Sequence, residues 1–217
     1  DGDVIPGDQY VLYSEGRFND TPVLIGTNSD EGALFSRPGI TAAEFERQTR
    51  ASFGAHADEI LAAYPHATDA EAATAARNVA RDSTFAWGTW AWARLQSSKG
   101  KGAAYVYYFD HRTPASPNGA NHAAELPYVF RTLGAQRGAG APRAEDTAMS
   151  ELMSSYWVNF ARTGDPNGAG LPPWPKFTAE DALAMVFDTK PGARPLPNLP
   201  QLRAMDGYFA WARAQRR

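Results

Sequence analysis

The sequence predicts an α/β fold, a central and mostly parallel sheet covered by helices. Two observations lead there. Elements follow the order strand, helices, strand, helix, strand, helix, with no internal repeat, and this alternation builds parallel sheets between helix layers. The strongest strand, "AAYVYYFDH" at 103–111, holds five β-branched or aromatic residues with little alternation of character. A central strand buried on both faces reads that way. At 217 residues, 43% of them hydrophobic, the chain can form one large domain or part of a bigger one.

The first strand is "TPVLIG" (21–26), closed by Gly26 and followed by the polar loop "TNSDEGALF". That loop sets Asp30 and Glu31 just beyond a strand end, neither with a basic residue beside it in sequence. Helical text runs over 41–64, where Thr41 suits an N-cap, Glu44 completes a capping box and Pro65 stops the run. A longer helix starts near Asp69 and carries Val79, Phe85, Trp87, Trp90, Ala91 and Leu95, interrupted by Gly88. Trp87, Trp90 and Trp92 cannot share one narrow face. They either pack into the core on two sides or line a ligand cleft.

After the central strand, the polar loop "RTPASPNGAN" leads to His122. The clearest helix is 145–164, where Met149, Leu152, Met153, Tyr156, Trp157 and Phe160 repeat at three and four and Gly164 ends the run. "GDPNG" is turn chemistry, and "LPPWPKF" is an extended, proline-stiffened connection. A short strand "ALAMVF" (182–187) precedes a terminal helix with Leu202, Met205, Phe209 and Ala212 on one side.

Composition excludes several functions. With 21 Lys and Arg against 24 Asp and Glu, the net charge of −3 gives no positive field for nucleic acid. The one basic run, Arg213, Arg216 and Arg217, reads as a solvated helix terminus. No cysteine exists for a disulfide, a thiolate nucleophile or a cysteine-ligated metal. No apolar run approaches the roughly 20 residues that span a bilayer. The text does not reveal the compartment; an export signal on a longer precursor would make the protein secreted or periplasmic. Histidine spacing shows no metal motif.

Of the four histidines, His56 and His66 read as solvated helix neighbours, and His111 as a strand-end residue with a local hydrogen bond. His122 differs, because it follows a strand just as Glu31 does, and parallel α/β sheets gather functional groups at those ends. A carboxylate on one imidazole nitrogen fixes the tautomer and leaves the other as a base. Spacing alone permits a Glu31–His122 pair; an ordinary loop acid and a structural histidine are the alternatives.

"GRFNDTPVLIGTNSDEGALF", "YVYYFDH", "GANHAAELPYVF", "WVNFARTGDPNG" and "WPKF" stand in an order that resembles the type-B carboxylesterase and cholinesterase family of α/β-hydrolases. The resemblance covers nearly the whole chain and implies the C-terminal part of such an enzyme, with 1–217 one piece of an α/β-hydrolase domain. It implies that Glu31 is the triad acid and His122 the general base. Glu125 matches a family glutamate behind the catalytic centre, and a single turn at 122–125 would put both side chains on one side; Glu125 could also cap that turn. Asp30 is expected to hold the loop, while Asp82 and Phe85 resemble a "D-x-x-F" helix whose acid packs and hydrogen-bonds.

One departure stands out: the chain has no G-x-S-x-G elbow and no glycine-rich oxyanion loop. Ser29, Ser36, Ser116, Ser154 and Ser155 all lack the strand–elbow–helix context. The expectation is therefore serine-dependent hydrolysis of a small-molecule carboxylic ester, without cofactor. This chain would supply acid and base, and an N-terminal portion of the same enzyme the serine and oxyanion hole. A non-catalytic recognition or adhesion member of the same fold family is the alternative. Trp87, Trp90, Trp92, Phe35 and Tyr128 are candidate pocket linings.

Overall fold

Aromatic and β-branched residues make up all but one position of the central strand, Ala104–Phe109. The computed structural model describes residues 2–35, 39–135 and 141–215; Ser36, Arg216 and Arg217 lie outside the described residues. Strands β1 (Val23–Asn28), β2 (Ala104–Phe109), β3 (Leu183–Phe187) and β4 (Gly192–Pro195) lie side by side in that order. The first three are parallel, with Val23 opposite Ala104 and Tyr107 opposite Met185; β4 runs antiparallel to β3. The edge strand β4 was not expected from its text, which holds Gly192 and Pro195 and follows directly on Pro191. Such residues are tolerated where one side of the strand needs no partner.

Helices cover both faces. Preceding β1 is the short helix α1 (Gln9–Ser14). Between β1 and β2 come α2 (Ala42–Phe53), α3 (Ala57–Ala63), α4 (Asp69–Arg81) and α5 (Trp87–Lys99). Then follow α6 (Leu126–Val129) and α7 (Ala144–Thr163) before β3, and α8 (Leu199–Ala214) after β4. On β2 the side chains of Ala104, Val106 and Tyr108 pack with Trp90 and Ala93 of α5 and Leu202 of α8. Tyr105 and Phe109 point the other way, onto Met149, Met153 and Tyr156 of α7. This double burial is why the text of β2 barely alternates.

Gly26 does not close β1; it sits inside it. A Cβ there would lie 2.3 Å from the Tyr107 ring, so the close approach of β2 requires glycine. The proline-rich connection also does more than link elements. Trp174 is fully buried, its indole donating to the Val106 carbonyl (3.1 Å), while the Asn167 side chain both accepts from Trp174 N and donates to its carbonyl.

A satellite core joins α2, α3, α4 and α8 through Phe45, Phe53, Ile60, Tyr64, Ala72, Ala75 and Met205. Thr41 caps α2 by accepting from Glu44 N (3.2 Å), but the Glu44 carboxylate turns to Arg47 and Gln48. The reciprocal box appears instead at Thr68–Glu71, opening α4. Gly88 does not interrupt the long helix. The break is a π-turn over Asp82–Ala86, one turn earlier.

His56 and His66 are half-buried, not solvated. His56 lies against Trp211, and His66 packs on Phe45 and donates from Nδ1 to the Tyr64 carbonyl (2.7 Å). His111 makes a distant bond where a local one was expected: its Nε2 lies 2.6 Å from Asp146 Oδ1 on α7. The Arg143 fork holds the Asp146 carboxyl well below its usual range, against burial, and His111 adds to the effect. Arg213 is half-buried and stacks on Tyr10 (3.8 Å).

Candidate active site

Two parallel neighbours, β1 and β2, end at the same side of the sheet, and each releases a loop there. Ser29 N still donates to the Phe109 carbonyl (2.9 Å), continuing the ladder one step. The chain then turns, and Glu31 opens a 3₁₀ turn over Glu31–Phe35. From the other loop, Ala120 N donates to Ser29 Oγ (2.8 Å) and Asp30 N donates to the Ala120 carbonyl (2.9 Å). These two bonds stitch the loops together. Gly119, at φ 151, allows the approach, since a Cβ there would lie 2.6 Å from Ser29 Oγ.

Stitched in this way, the loops bring Glu31 and His122 together. Glu31 Oε2 is 2.6 Å from His122 Nδ1, and its Oε1 accepts from Asn28 N (2.9 Å). A carboxylate acceptor puts the imidazole proton on Nδ1 and leaves Nε2 as the basic nitrogen. Glu31 is buried, whereas the His122 side chain is 47% exposed. The imidazole thus has one side fixed and one side open. Phe85, delivered by the π-turn, stacks on its ring at 4.9 Å and 27°.

Glu125 stands behind this pair without touching it directly. Its Oε2 accepts from Asn28 Nδ2, which also donates to the Asn121 carbonyl (2.8 Å). Asn28 therefore touches Glu31 through its backbone and Glu125 through its side chain, a role its place in "TNSDEG" did not announce. Burial, then the charges of Glu125 and Glu31, push the neighbouring Tyr107 phenol up, so it stays protonated.

Asp30 turns away from the imidazole and onto α4. Its carboxylate accepts both Arg77 Nε (3.0 Å) and Arg77 Nη2. One turn on, Arg81 Nη1 donates to the Ser29 carbonyl (3.0 Å) and to Tyr108 OH (3.2 Å), while Nε and Nη2 grip Asp82. Asp82, fully buried, also accepts from Tyr64 OH (2.8 Å) and Asn198 Nδ2 (2.7 Å). Burial raises the Tyr108 phenol to about 12, so it serves as a hydrogen-bonding hydroxyl. The basic partner missing beside Asp30 in sequence thus comes from 47 residues away. The signal was present in "AARNVARD", two arginines four apart on one face of an alanine-rich helix.

His122, Glu31 and Glu125 border a groove of about 1140 Å³. Phe85, Trp87 and Trp92 share its wall with Tyr13 and Phe18 from the segment before β1. Trp90 and Tyr128, expected as candidate linings, are core residues, and Phe35 lies at an exposed position beside Phe85 (6.2 Å). Ser29 is the serine nearest the pair in sequence, but its hydroxyl is bonded by Ala120 N. Among the described residues no cluster of three or more acidic or histidine side chains could hold a metal ion, and no helix is long and apolar enough to cross a membrane.

The model of the carboxylesterase family matches residues 1–203. The chain belongs to that family. Fumonisin B1 esterase of Sphingopyxis macrogoltabida is 31% identical over 204 residues, covering 86% of this chain and 37% of that protein. Bile salt-activated lipase of Bos taurus is 32% identical over 209 residues, covering 83% of this chain and 34% of its own length. Among solved structures, a thermophilic PNB esterase superposes with a TM-score of 0.74 at 25% identity, and a PNB esterase with 0.72 at 27%. Each covers 94% of this chain, which spans 42% of theirs. The fold is accordingly part of an α/β-hydrolase, with a mixed sheet. The chain spans well under half the length of the relatives it matches.

Proposed function

We propose that this chain is the acid-and-base portion of a serine carboxylesterase, acting on small-molecule carboxylic esters. The observation that carries the reading is the His122–Glu31 pair at the ends of adjacent parallel strands, its imidazole half open on an apolar groove. The serine and the oxyanion donors belong to an N-terminal portion carrying G-x-S-x-G, in keeping with the share of the relatives' length that this chain spans. In the reaction, the serine hydroxyl gives its proton to His122 Nε2 as its oxygen adds to the ester carbonyl, and Glu31 stabilises the imidazolium. The same proton passes to the leaving alcohol. Water, activated in turn by His122, then releases the acid. Glu125, through Asn28, supports the pair from behind. The names of the relatives, esterases and a lipase, support ester hydrolysis as the chemistry.

Treating the complete polypeptide with a fluorophosphonate and mapping the adduct by mass spectrometry tests this reading. The expected adduct lies on a G-x-S-x-G serine outside these 217 residues and abolishes esterase turnover. An adduct on a serine of this chain, or full turnover by this chain alone, would overturn it.

A further inference from the structure

The loop that carries Glu31 is held by a helix that takes no part in the chemistry. Residues 29–32 lie on the C-terminal half of α4, gripped at three successive points. Arg81 donates to the Ser29 carbonyl, Arg77 makes a two-pronged bond to the Asp30 carboxylate, and Gly32 rests against the Arg77 backbone so closely that a Cβ would meet its carbonyl oxygen at 1.8 Å. Asp30 is the centre of this arrangement. Its side chain binds α4, its backbone N–H binds Ala120 in the histidine loop, and the next residue is Glu31.

We infer that Arg77, acting through Asp30, is a positioning residue that sets the Glu31–His122 geometry; this rests on the esterase reading of the pair. The physical argument is one of leverage. A guanidinium fork fixes a carboxylate in direction as well as distance, which a single hydrogen bond does not. With Asp30 fixed, both the acid loop and, through the Asp30–Ala120 bond, the histidine loop take their place from one rigid helix. Releasing the fork removes the side-chain anchor of Asp30, leaving the loop on α4 with the Arg81–Ser29 bond and the Gly32 packing, and the Glu31 carboxylate with Asn28 N, at the end of β1, and His122. Ion pairs that merely stabilise a surface, such as Arg47–Glu44 on α2, have no such connection to the site.

The test uses the complete polypeptide, with Arg77→Met, Asp30→Asn and their double variant, and Arg77→Lys as the conservative change. Both single variants should lower kcat about tenfold with KM unchanged, the cost of a misplacement below 1 Å. The double variant should lose no more than the worse single one, because both changes remove one interaction. Lys, a point charge without the fork, should restore only part of kcat. A second readout needs no turnover: the deshielded NMR resonance of the His122 Nδ1 proton, assigned by its loss in Glu31→Gln, should shift or broaden in each variant. Wild-type kcat with an unmoved resonance in Arg77→Met or Asp30→Asn would overturn the inference, as would losses that multiply in the double variant. Should Glu31→Gln itself leave turnover intact, the esterase reading falls, and the resonance still decides whether Arg77 positions the pair.

Discussion

Replacing Gly32 by alanine adds one methyl group at the point where the acid loop rests on α4. The new Cβ would lie 1.8 Å from the Arg77 carbonyl oxygen and 2.7 Å from its carbon, about 1.6 Å short of the 3.4 Å at which ordinary contact begins. Neither side yields easily, since the obstacle is helix backbone and not the end of a flexible side chain. The loop must therefore retreat by more than 1 Å. The Glu31–His122 bond starts at 2.6 Å, and a retreat of that size by the acid loop alone stretches it past hydrogen-bond range. Overpacking of this kind costs about 1–3 kcal/mol of stability, and a 1 Å misplacement of reacting groups costs about 100-fold in rate. Urea unfolding and steady-state hydrolysis of a chromogenic short-chain ester, measured on the complete polypeptide, read the two effects separately. Gly32→Ala with both the wild-type midpoint and the wild-type kcat/KM would refute the reasoning, because it would mean that the loop does not rest where the structure puts it.

Glu31→Gln should keep the fold while turnover falls, by up to about 10⁴-fold if the analogy with the equivalent acid of a serine protease holds; circular dichroism alongside kinetics checks it. Glu125→Gln, one residue removed from the pair, should be milder in the same assay. Asp146→Asn should lower the urea midpoint, because Arg143, His111 and Tyr128 then share a neutral amide with one acceptor oxygen where a carboxylate stood. The sign with pH follows from the depressed Asp146 carboxyl: its stabilisation is present above the unfolded value near 3.8 and is lost as pH falls through the lower folded value. The wild-type midpoint should thus drop below about pH 4 more steeply than that of Asp146→Asn, and parallel curves would contradict the assignment.

The parts of the fold set by local pattern were readable from sequence, and those set by distant contact were not. The run at 103–111 declared a doubly buried strand because both faces of β2 need apolar side chains. The stripe from Met149 to Phe160 declared α7 in the same way. Gly26, by contrast, looked like a strand end, since nothing local reveals that Tyr107 of a neighbouring strand lies against it. Trp174 looked like part of a linker because its burial depends on β2 and α7. At the site, the two strand ends permitted a meeting of Glu31 and His122, and the resemblance to family motifs singled them out. Arg77, Arg81 and Asn28 escaped notice because their importance lies in loop residues they reach across the fold. Gly88 misled for the opposite reason: glycine weakens a helix locally, yet here the geometry broke at the π-turn that aims Phe85 at the imidazole.

The central claim is that His122 moves the proton in ester hydrolysis, and kcat/KM of His122→Ala in the complete polypeptide measures it most directly. With the fold verified by circular dichroism, the loss should reach at least about 10⁴-fold, since no other described group borders the groove with an imidazole. A folded His122→Ala variant with wild-type kcat/KM would contradict the account.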